Sequence, residues 1–317
     1  MYDVTITVVG SINMDIVILT DHYPCRGDTI FGNEIRFSPG GKGANQATAC
    51  AKLGKEAIIV GCVGIDEFGH LLIETMDGNL VNISFIKRSV SKKTGAVLVT
   101  IDESAQNTMI VVKGANEELN AIDVDGCSEW IKNSKVLLVQ LEIPEEIAIH
   151  AMVKAREYGV TVILDPAPAE GITLNVLKYA DIIIPNRQEA KCITGIDVID
   201  VQSALDAARF LDKRVGISKS IIKMAEMGSL VYSNGLWEYI EAIEVKAVDT
   251  VAAGDSFAGA LACAIADGES IVSAAKFATI VSALKVTRLD AQDGIPTMAE
   301  VNEFCAIRNL KHYRSNQ

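Results

Sequence analysis

The sequence predicts an α/β fold, a three-layer αβα sandwich around a mostly parallel central sheet, with a small β-sheet lid. Three observations carry this. From residue 121 onward, strand-like runs alternate with helical stretches of ~10–15 residues, the pattern of βαβ units. Runs such as Ala57–Val63 are apolar throughout, as in parallel strands buried on both faces. Two β-rich excursions, near 12–38 and 92–112, stand outside that alternation.

In chain order, Val4–Val9 reads as a strand that ends at Gly10. The next 30 residues contain Pro24, Gly27, Gly32 and Pro39 and short β-like pieces such as Asp28–Phe31. Gly40-Gly41-Lys42-Gly43 then opens an alanine-rich helix, Ala44–Leu53, stopped by Gly54. Strand Ala57–Val63 and helix Phe68–Met76 follow. Gly95–Ile101 and Thr108–Val112 flank the polar turn Asp102–Asn107 and read as a hairpin. Next come helix Ala121–Lys132, strand Val136–Leu141, helix Glu145–Tyr158, strand Val160–Leu164, strand Asp181–Ile184, helix Arg187–Ile193, helix Val201–Leu211 and strand Ser220–Met224. Leu230–Ser233 and Trp237–Ile243 read as later antiparallel strands, and Glu244–Val248 as a further strand-like stretch. The end is helical over Ala253–Ala266, Ile271–Leu284 and Met298–Ile307. Nothing resembling a linker or repeat divides the chain, so residues 1–317 are expected to form a single domain. The two excursions would meet as a small sheet over one edge of the main one. Ligands of open α/β sheets lie at the carboxyl ends of the strands, where such a lid would close over them.

Composition narrows the function classes. Hydrophobic residues make up 49% and charged residues 22%, a globular balance; aromatics are 5%, so the core rests on Ile, Val, Leu and Ala. With 29 Lys plus Arg against 41 Asp plus Glu, the net charge is −12, which repels nucleic-acid backbones. The seven cysteines show no C-x-x-C spacing, which argues against a disulfide framework or a zinc knuckle. The first residues lack a basic stretch and enter a strand at once, so no signal peptide is expected. No apolar run reaches the ~20 residues that cross a bilayer. The expected compartment is a reducing cytoplasm.

The strongest local feature is Asp249-Thr250-Val251-Ala252-Ala253-Gly254-Asp255-Ser256-Phe257. Small residues let an anion approach the backbone, and the N–H groups of a first helical turn point at it. Asp255 would sit in that turn, beside a bound phosphate, placed to take a proton in phosphoryl transfer. Gly40–Gln46 is neither a P-loop nor a dinucleotide fingerprint, yet it too feeds a helix N-terminus. Asn13 and Asp15 follow the first strand, Glu142 follows Val136–Leu141, and Asn186-Arg187-Gln188-Glu189 follows another. Each has an ordinary structural reading: a turn aspartate, a glycine turn, a helix cap with its capping-box partner. The four histidines show no ligand spacing.

Together, Gly40–Gln46, Asn186–Glu189 and Asp249–Phe257 stand in the order and spacing of the ribokinase (PfkB) family of carbohydrate kinases, which the chain resembles from Val8 to about Ile307. Gly10–Asp15, Gly114-Ala115-Asn116, Asp165–Pro168 and Thr287-Arg288 through Ala291-Gln292 narrow the resemblance to the ribokinase branch. It implies transfer of phosphate from ATP to a sugar, D-ribose giving ribose 5-phosphate, and a homodimer clasped through the lid sheets. Asp255 would be the base, with Ala252, Ala253 and Gly254 forming a backbone anion hole. Asn13, Asp15, Gly41, Lys42, Gly43, Asn45 and Glu142 would hold the sugar. Asn186, Lys223, Ala225, Glu226, Gly228, Gly254 and Thr279 would line the nucleotide site, and Glu189 would reach Mg²⁺ through water. Asp249, Val251, Lys285, Arg288, Asp290 and Gly294 match a loop that holds an activating K⁺, mostly through backbone carbonyls.

The chain departs from the family pattern at three places. The nucleotide loop, usually Gly-x-x-Gly, reads Ala225-Glu226-Met227-Gly228. Residue 290, usually Gly, is Asp, and residue 294, commonly Ser, is Gly. Two other readings remain: a kinase of another small substrate (2-deoxyribose, a hexose or a nucleoside), and a sugar- or nucleotide-binding regulator without turnover. Ala225 and Asp290 favour the regulator; the intact Gly254-Asp255 speaks against it.

Overall fold

A computed structural model describes residues 6–103 and 107–314. Val4 and Thr5 of the first expected strand, and residues 104–106 of the expected turn, lie outside the described residues. The strands are β1 (Ile6–Val9), β2 (Asn13–Leu19), β3 (Glu34–Gly40), β4 (Ala57–Gly64), β5 (Asn82–Ser89), β6 (Gly95–Ile101), β7 (Asn107–Val112), β8 (Val136–Val139), β9 (Thr161–Leu164), β10 (Ile182–Ile183), β11 (Lys219–Lys223), β12 (Ser229–Ser233) and β13 (Leu236–Ile240). The helices are α1 (Lys42–Lys52), α2 (Glu67–Gly78), α3 (Ala121–Gly126), α4 (Ser128–Asn133), α5 (Glu145–Glu157), α6 (Leu174–Leu177), α7 (Arg187–Thr194), α8 (Val201–Phe210), α9 (Ala253–Ala266), α10 (Ile271–Lys285) and α11 (Met298–Arg308).

Nine strands form the main sheet in the order β13-β12-β11-β10-β9-β8-β1-β4-β5. The seven from β11 to β5 are parallel; β12 and β13 add an antiparallel edge. Side chains alternate between two cores. Val9, Leu137 and Val139 join α3 to α8 on one face, while Ile6, Val8, Val136 and Leu138 join α1, α2 and α9 to α11 on the other. This is why the strands read as continuous apolar runs: each face meets its own helical layer.

The two excursions do meet, as a four-stranded sheet in the order β3-β2-β6-β7. Its centre is a parallel pairing of β2 with β6, from Asn13 opposite Gly95 to Leu19 opposite Ile101.

Several expectations need correction. Asp28–Phe31 joins no ladder, and Phe31 is almost fully exposed. Glu244–Val248 is irregular chain, not a strand. The helix expected over 121–132 breaks at Cys127 into α3 and α4, and strand 181–184 shrinks to two paired residues. Edge strand β5 went unread. Its register against β4 shifts between Ile58 and Val60, which spoils the two-residue alternation that would have marked it.

Candidate active site

From β1 the chain passes to β4 and β5 on one side of the sheet, and from β8 to β9, β10 and β11 on the other. The switch point therefore lies between β1 and β8, and a ligand crevice belongs at their carboxyl ends. Ser11 and Asn13 leave β1 there, Gln140 and Glu142 leave β8, and Asp165 leaves β9. Asn186 and Lys223 pair in an isolated bridge beside them.

Two helices enter this crevice by their N-termini. In α9 the preceding residue, Ala252, is left-handed (φ 57°), and no side chain among the described residues caps the helix. The Ala253 N–H is spent on the Thr250 carbonyl at 3.2 Å, so of the expected anion hole it is the Gly254 end of the turn that stays open to an anion. Glycine at 254 answers no crowding from the protein. An added Cβ would meet only the Lys223 ammonium, at 3.7 Å.

One residue on, the Asp255 carboxyl is buried. Its Oδ2 accepts from Asn45 Nδ2 at 2.9 Å and its Oδ1 from Gln46 Nε2 at 3.0 Å. Burial pushes its pKa up, against the pull of the nearby Lys42 ammonium and those two donors. Gln46 Nε2 also donates to Asp165 Oδ2 at 2.9 Å, and Asp165 Oδ1 pairs with Lys223 Nζ at 3.1 Å. Burial opposes the Lys223 charge, but Asp165, Glu189 and Asp255 outweigh it and raise the ammonium's pKa. The residues therefore form one network: the Asp255 carboxyl, two amides, the Asp165 carboxylate and a lysine.

Helix α1 supplies the other wall. Gly41, at φ 90°, caps it, and a Cβ there would fall 2.5 Å from the Asn13 nitrogen. Lys42 Nζ lies 3.9 Å from Glu142 Oε1, and Glu142 Oε2 accepts from Ser11 Oγ at 2.5 Å and Asn13 Nδ2 at 3.2 Å. Asp15, on β2, faces the same space. Burial, then Glu142 and Asp255, push its carboxyl from 3.8 up to about 7, although Lys42 pulls the other way. Asn45 Oδ1 is buried and accepts no hydrogen bond among the described residues. A buried acceptor without a protein donor is open to a water or to a donor on a ligand.

A cleft of about 1080 Å³ opens on the far side of Gly254. It brings together all seven expected nucleotide residues, Asn186, Lys223, Ala225, Glu226, Gly228, Gly254 and Thr279. Ala242, Ile243, Val245 and Phe257 add apolar surface that the sequence reading did not assign. Ala225 has φ 54°, so a Cβ stands where the family's glycine is conformationally at ease. Asn186 and Glu189 make the reciprocal capping box of α7, with Asn186 N donating to Glu189 Oε2 at 2.7 Å and Glu189 N donating to Asn186 Oδ1 at 2.9 Å; Asn186 Nδ2 also donates to Glu189 Oε1 at 2.7 Å.

The expected cation loop is a different matter. The resemblance implies a site that includes Lys285 and is built mostly of backbone carbonyls. In the structure the Lys285 carbonyl takes the Arg288 N–H at 2.9 Å, and the Lys285 side chain itself enters the loop, fully buried, with Nζ 3.1 Å from the Asp249 carbonyl oxygen. Asp290 is left-handed at φ 66°.

Sequence reasoning quoted Gln46, Asp165, Asn116 and Ser11 inside motifs but gave them no role, and it missed Gln140. Asn116 Nδ2 holds Asn13 Oδ1 at 2.7 Å, and Gln140 Nε2 holds Gln46 Oε1. Their side-chain partners lie 58 to 209 residues away in sequence, beyond any local signal.

An α/β fold that sets an open helix end and an ammonium beside a buried carboxyl has the parts of a small-molecule phosphotransferase. Residues 4–298 match the model of the pfkB family of carbohydrate kinases, and the chain belongs to that family. It is 36% identical to a ribokinase of Haemophilus influenzae, over 95% of this chain and 98% of that protein. It is 30% identical to a deoxyribokinase of Salmonella typhimurium, over 95% of this chain and 99% of that protein. Among solved structures, an Arabidopsis thaliana ribokinase complexed with ribose and ATP superposes with a TM-score of 0.88 at 30% identity, covering 95% of this chain and 98% of that one.

Proposed function

We propose that the chain transfers the γ-phosphoryl group of ATP to the 5-hydroxyl of D-ribose, giving ribose 5-phosphate and ADP. One observation carries the reading. Gly254 and Asp255 are adjacent residues on opposite sides of a partition: Gly254 lines the large cleft, and Asp255 joins the Asn45 side of the crevice. A phosphoryl group at Gly254 and a hydroxyl at Asp255 would meet with little further movement.

The nucleotide occupies the cleft, its phosphates at the Gly254 turn and Lys223. Asp15, Asn13, Asn45 and Glu142 take the secondary hydroxyls, where the acceptor Asn45 Oδ1 awaits a donor. Asp255, made more basic by burial, takes the proton of the attacking hydroxyl, while Lys223 and the helix end stabilise charge on the transferring group. Magnesium comes with the nucleotide. No cluster of three or more metal-ligating side chains occurs among the described residues, which suits an ion bound mainly by phosphates and water. Each Glu189 oxygen takes one hydrogen bond from Asn186 and keeps acceptor capacity for a metal-bound water. When bound, the ion neutralises phosphate charge.

The small sheet serves as lid and subunit contact in this reading. Ile35 and Phe37 on β3 and Met109, Ile110, Val111 and Val112 on β7 are exposed apolar side chains of the kind a partner covers. All seven cysteines are free thiols, which suits a reducing cytoplasm.

The similarity to a deoxyribokinase keeps 2-deoxyribose as the competing substrate. An ADP-release assay across a sugar and nucleoside panel decides. Loss of a hydroxyl that meets a buried polar group costs ~1–3 kcal/mol. Ribose is therefore expected to exceed 2-deoxyribose by at least about ten-fold in kcat/KM. Equal rates on the two sugars would overturn the assignment.

A further inference from the structure

Among the described residues, no other lysine is as buried as Lys285. Its Nζ donates to the Asp249 carbonyl oxygen at 3.1 Å and lies 3.5 Å from the Arg288 carbonyl oxygen and 3.7 Å from Asp249 Oδ2. Every one of these neighbours is an oxygen, from two separate segments, and one is a carboxylate. An ammonium is close to K⁺ in size and charge, and Asp249 and Arg288 are two of the residues expected to ligate K⁺.

The neighbouring departures fit the same picture. A Cβ at Gly294 would fall 3.1 Å from Lys285 Cε and 2.5 and 2.6 Å from the carbonyl oxygens of Asp290 and Leu289. The serine common at this position would crowd the lysine stem, so glycine leaves the stem its room. Burial pulls the Lys285 pKa below the ordinary lysine value, and the negative charges of Asp249 and Asp290 oppose that shift. The loop also connects directly to the anion-binding turn. Asp249 Oδ1 accepts the Val251 N–H at 2.9 Å, one residue before the left-handed Ala252 that starts α9, and the N–H groups of Val248 and Asp249 bond the Val286 carbonyl just past Lys285.

The residues present therefore do not fit a bound K⁺. We propose that Lys285 is a built-in cation: its side-chain ammonium braces the Asp249 turn permanently, so this chain works without the monovalent ion that the resemblance implies. Lys285 is a positioning residue, acting on Gly254 and Asp255 through Asp249.

The inference rests on the kinase reading, and the test separates the two. Thermal unfolding and sugar-dependent ADP release are measured for the wild-type chain in potassium chloride and in tetramethylammonium chloride of equal ionic strength. A bound ion raises stability by mass action. The expected result is no potassium-specific rise in Tm and turnover rates within about two-fold of each other. A potassium-specific Tm rise, or several-fold activation by potassium, would overturn the proposal. The Tm measurement needs no turnover, so a chain inactive on every sugar would sink the kinase reading and leave this one decidable. Lys285→Ala opens the loop. It should lose roughly ten-fold or more in kcat without potassium, with little change in the KM for sugar, and recover in potassium or ammonium with a potassium-specific Tm rise. Lys285→Met, whose stem still fills the space, should stay impaired in both salts. Full activity of Lys285→Ala in potassium-free buffer would also overturn the proposal. Should that variant fail to fold, the wild-type comparison decides alone.

Discussion

Two charged corners flank the start of α9, and they are finished in opposite ways. At Gly254 the backbone is bare, uncapped and open to a cleft of about 1080 Å³. At Asp249 a nest of oxygens is closed by Lys285, a group from the same chain. Unanswered polar groups point to a ligand only where the fold leaves them unanswered. Motif matching cannot tell these cases apart, because both corners lie in stretches that match the family.

The open corner predicts the largest effects. Asp255→Asn preserves size and removes the proton acceptor, so kcat should fall ~10²–10⁴-fold while sugar binding measured by calorimetry persists. Turnover within a few-fold of wild type would remove Asp255 as the base. Lys223→Met should follow, at roughly 10²-fold in kcat, because it removes an ammonium aimed at developing charge. A loss confined to Tm, with kcat intact, would make Lys223 merely the counter-ion of Asp165.

Asp15 tests the sugar wall between the two corners and the partition. Asp15→Ala should cut ribose turnover far more than deoxyribose turnover and shrink the roughly ten-fold preference toward parity. The same residue sets a pH dependence. The folded chain keeps its Asp15 proton up to about pH 7, whereas the ordinary carboxyl releases it near 3.8. Its contribution to stability is therefore full below the unfolded value and is lost as pH rises through about 7. Asp15→Asn should melt several degrees above wild type at pH 8, with a gap that narrows steadily toward pH 5. A gap constant with pH would show that neither burial nor the field of Glu142 and Asp255 raises the Asp15 carboxyl.

The smallest effect belongs to Ala225. At φ 54° an alanine is held where glycine sits without cost. Ala225→Gly should raise Tm slightly and leave the KM for ATP unchanged or lower. A markedly weaker ATP site would show that the methyl group is a fitted contact.

Legibility in the sequence followed locality. The nine-residue string ending at Phe257 gave α9, its first turn and Asp255, because anion binding at a helix end is written in consecutive small residues. The ends of β1 and β8 gave Asn13, Asp15 and Glu142. Asn186 and Glu189 illustrate the opposite limit: spacing fits both a capping box and a metal-facing pair, and the structure builds the box without removing the second use. The Gln46, Asp165 and Lys223 network was illegible because its members come together only when α1, β9 and β11 are assembled. Lys285 was hidden for another reason. A lysine in the last turn of a helix is ordinarily a solvated partner of the helix dipole, and only the packing of α10 against the 249 segment buries it.

The small sheet is joined to the main body at four chain crossings, and each carries a glycine. Gly10 leaves β1, Gly41 precedes α1, Gly95 begins β6 and Gly114 follows β7. At each, a Cβ would collide within 3 Å with another crossing or with a side chain of the crevice: Gln140 at Gly10, Asn13 at Gly41, Asn13 and Asn116 at Gly95, and the Lys93 carbonyl at Gly114. The tethers and the proposed sugar wall are thus one piece of architecture. Grafting this sheet from one relative onto another would transplant a knot of interlocked backbone. A chimera joined inside these crossings must inherit all four glycines together, or it will misplace Asn13 and Asp15 before any sugar arrives.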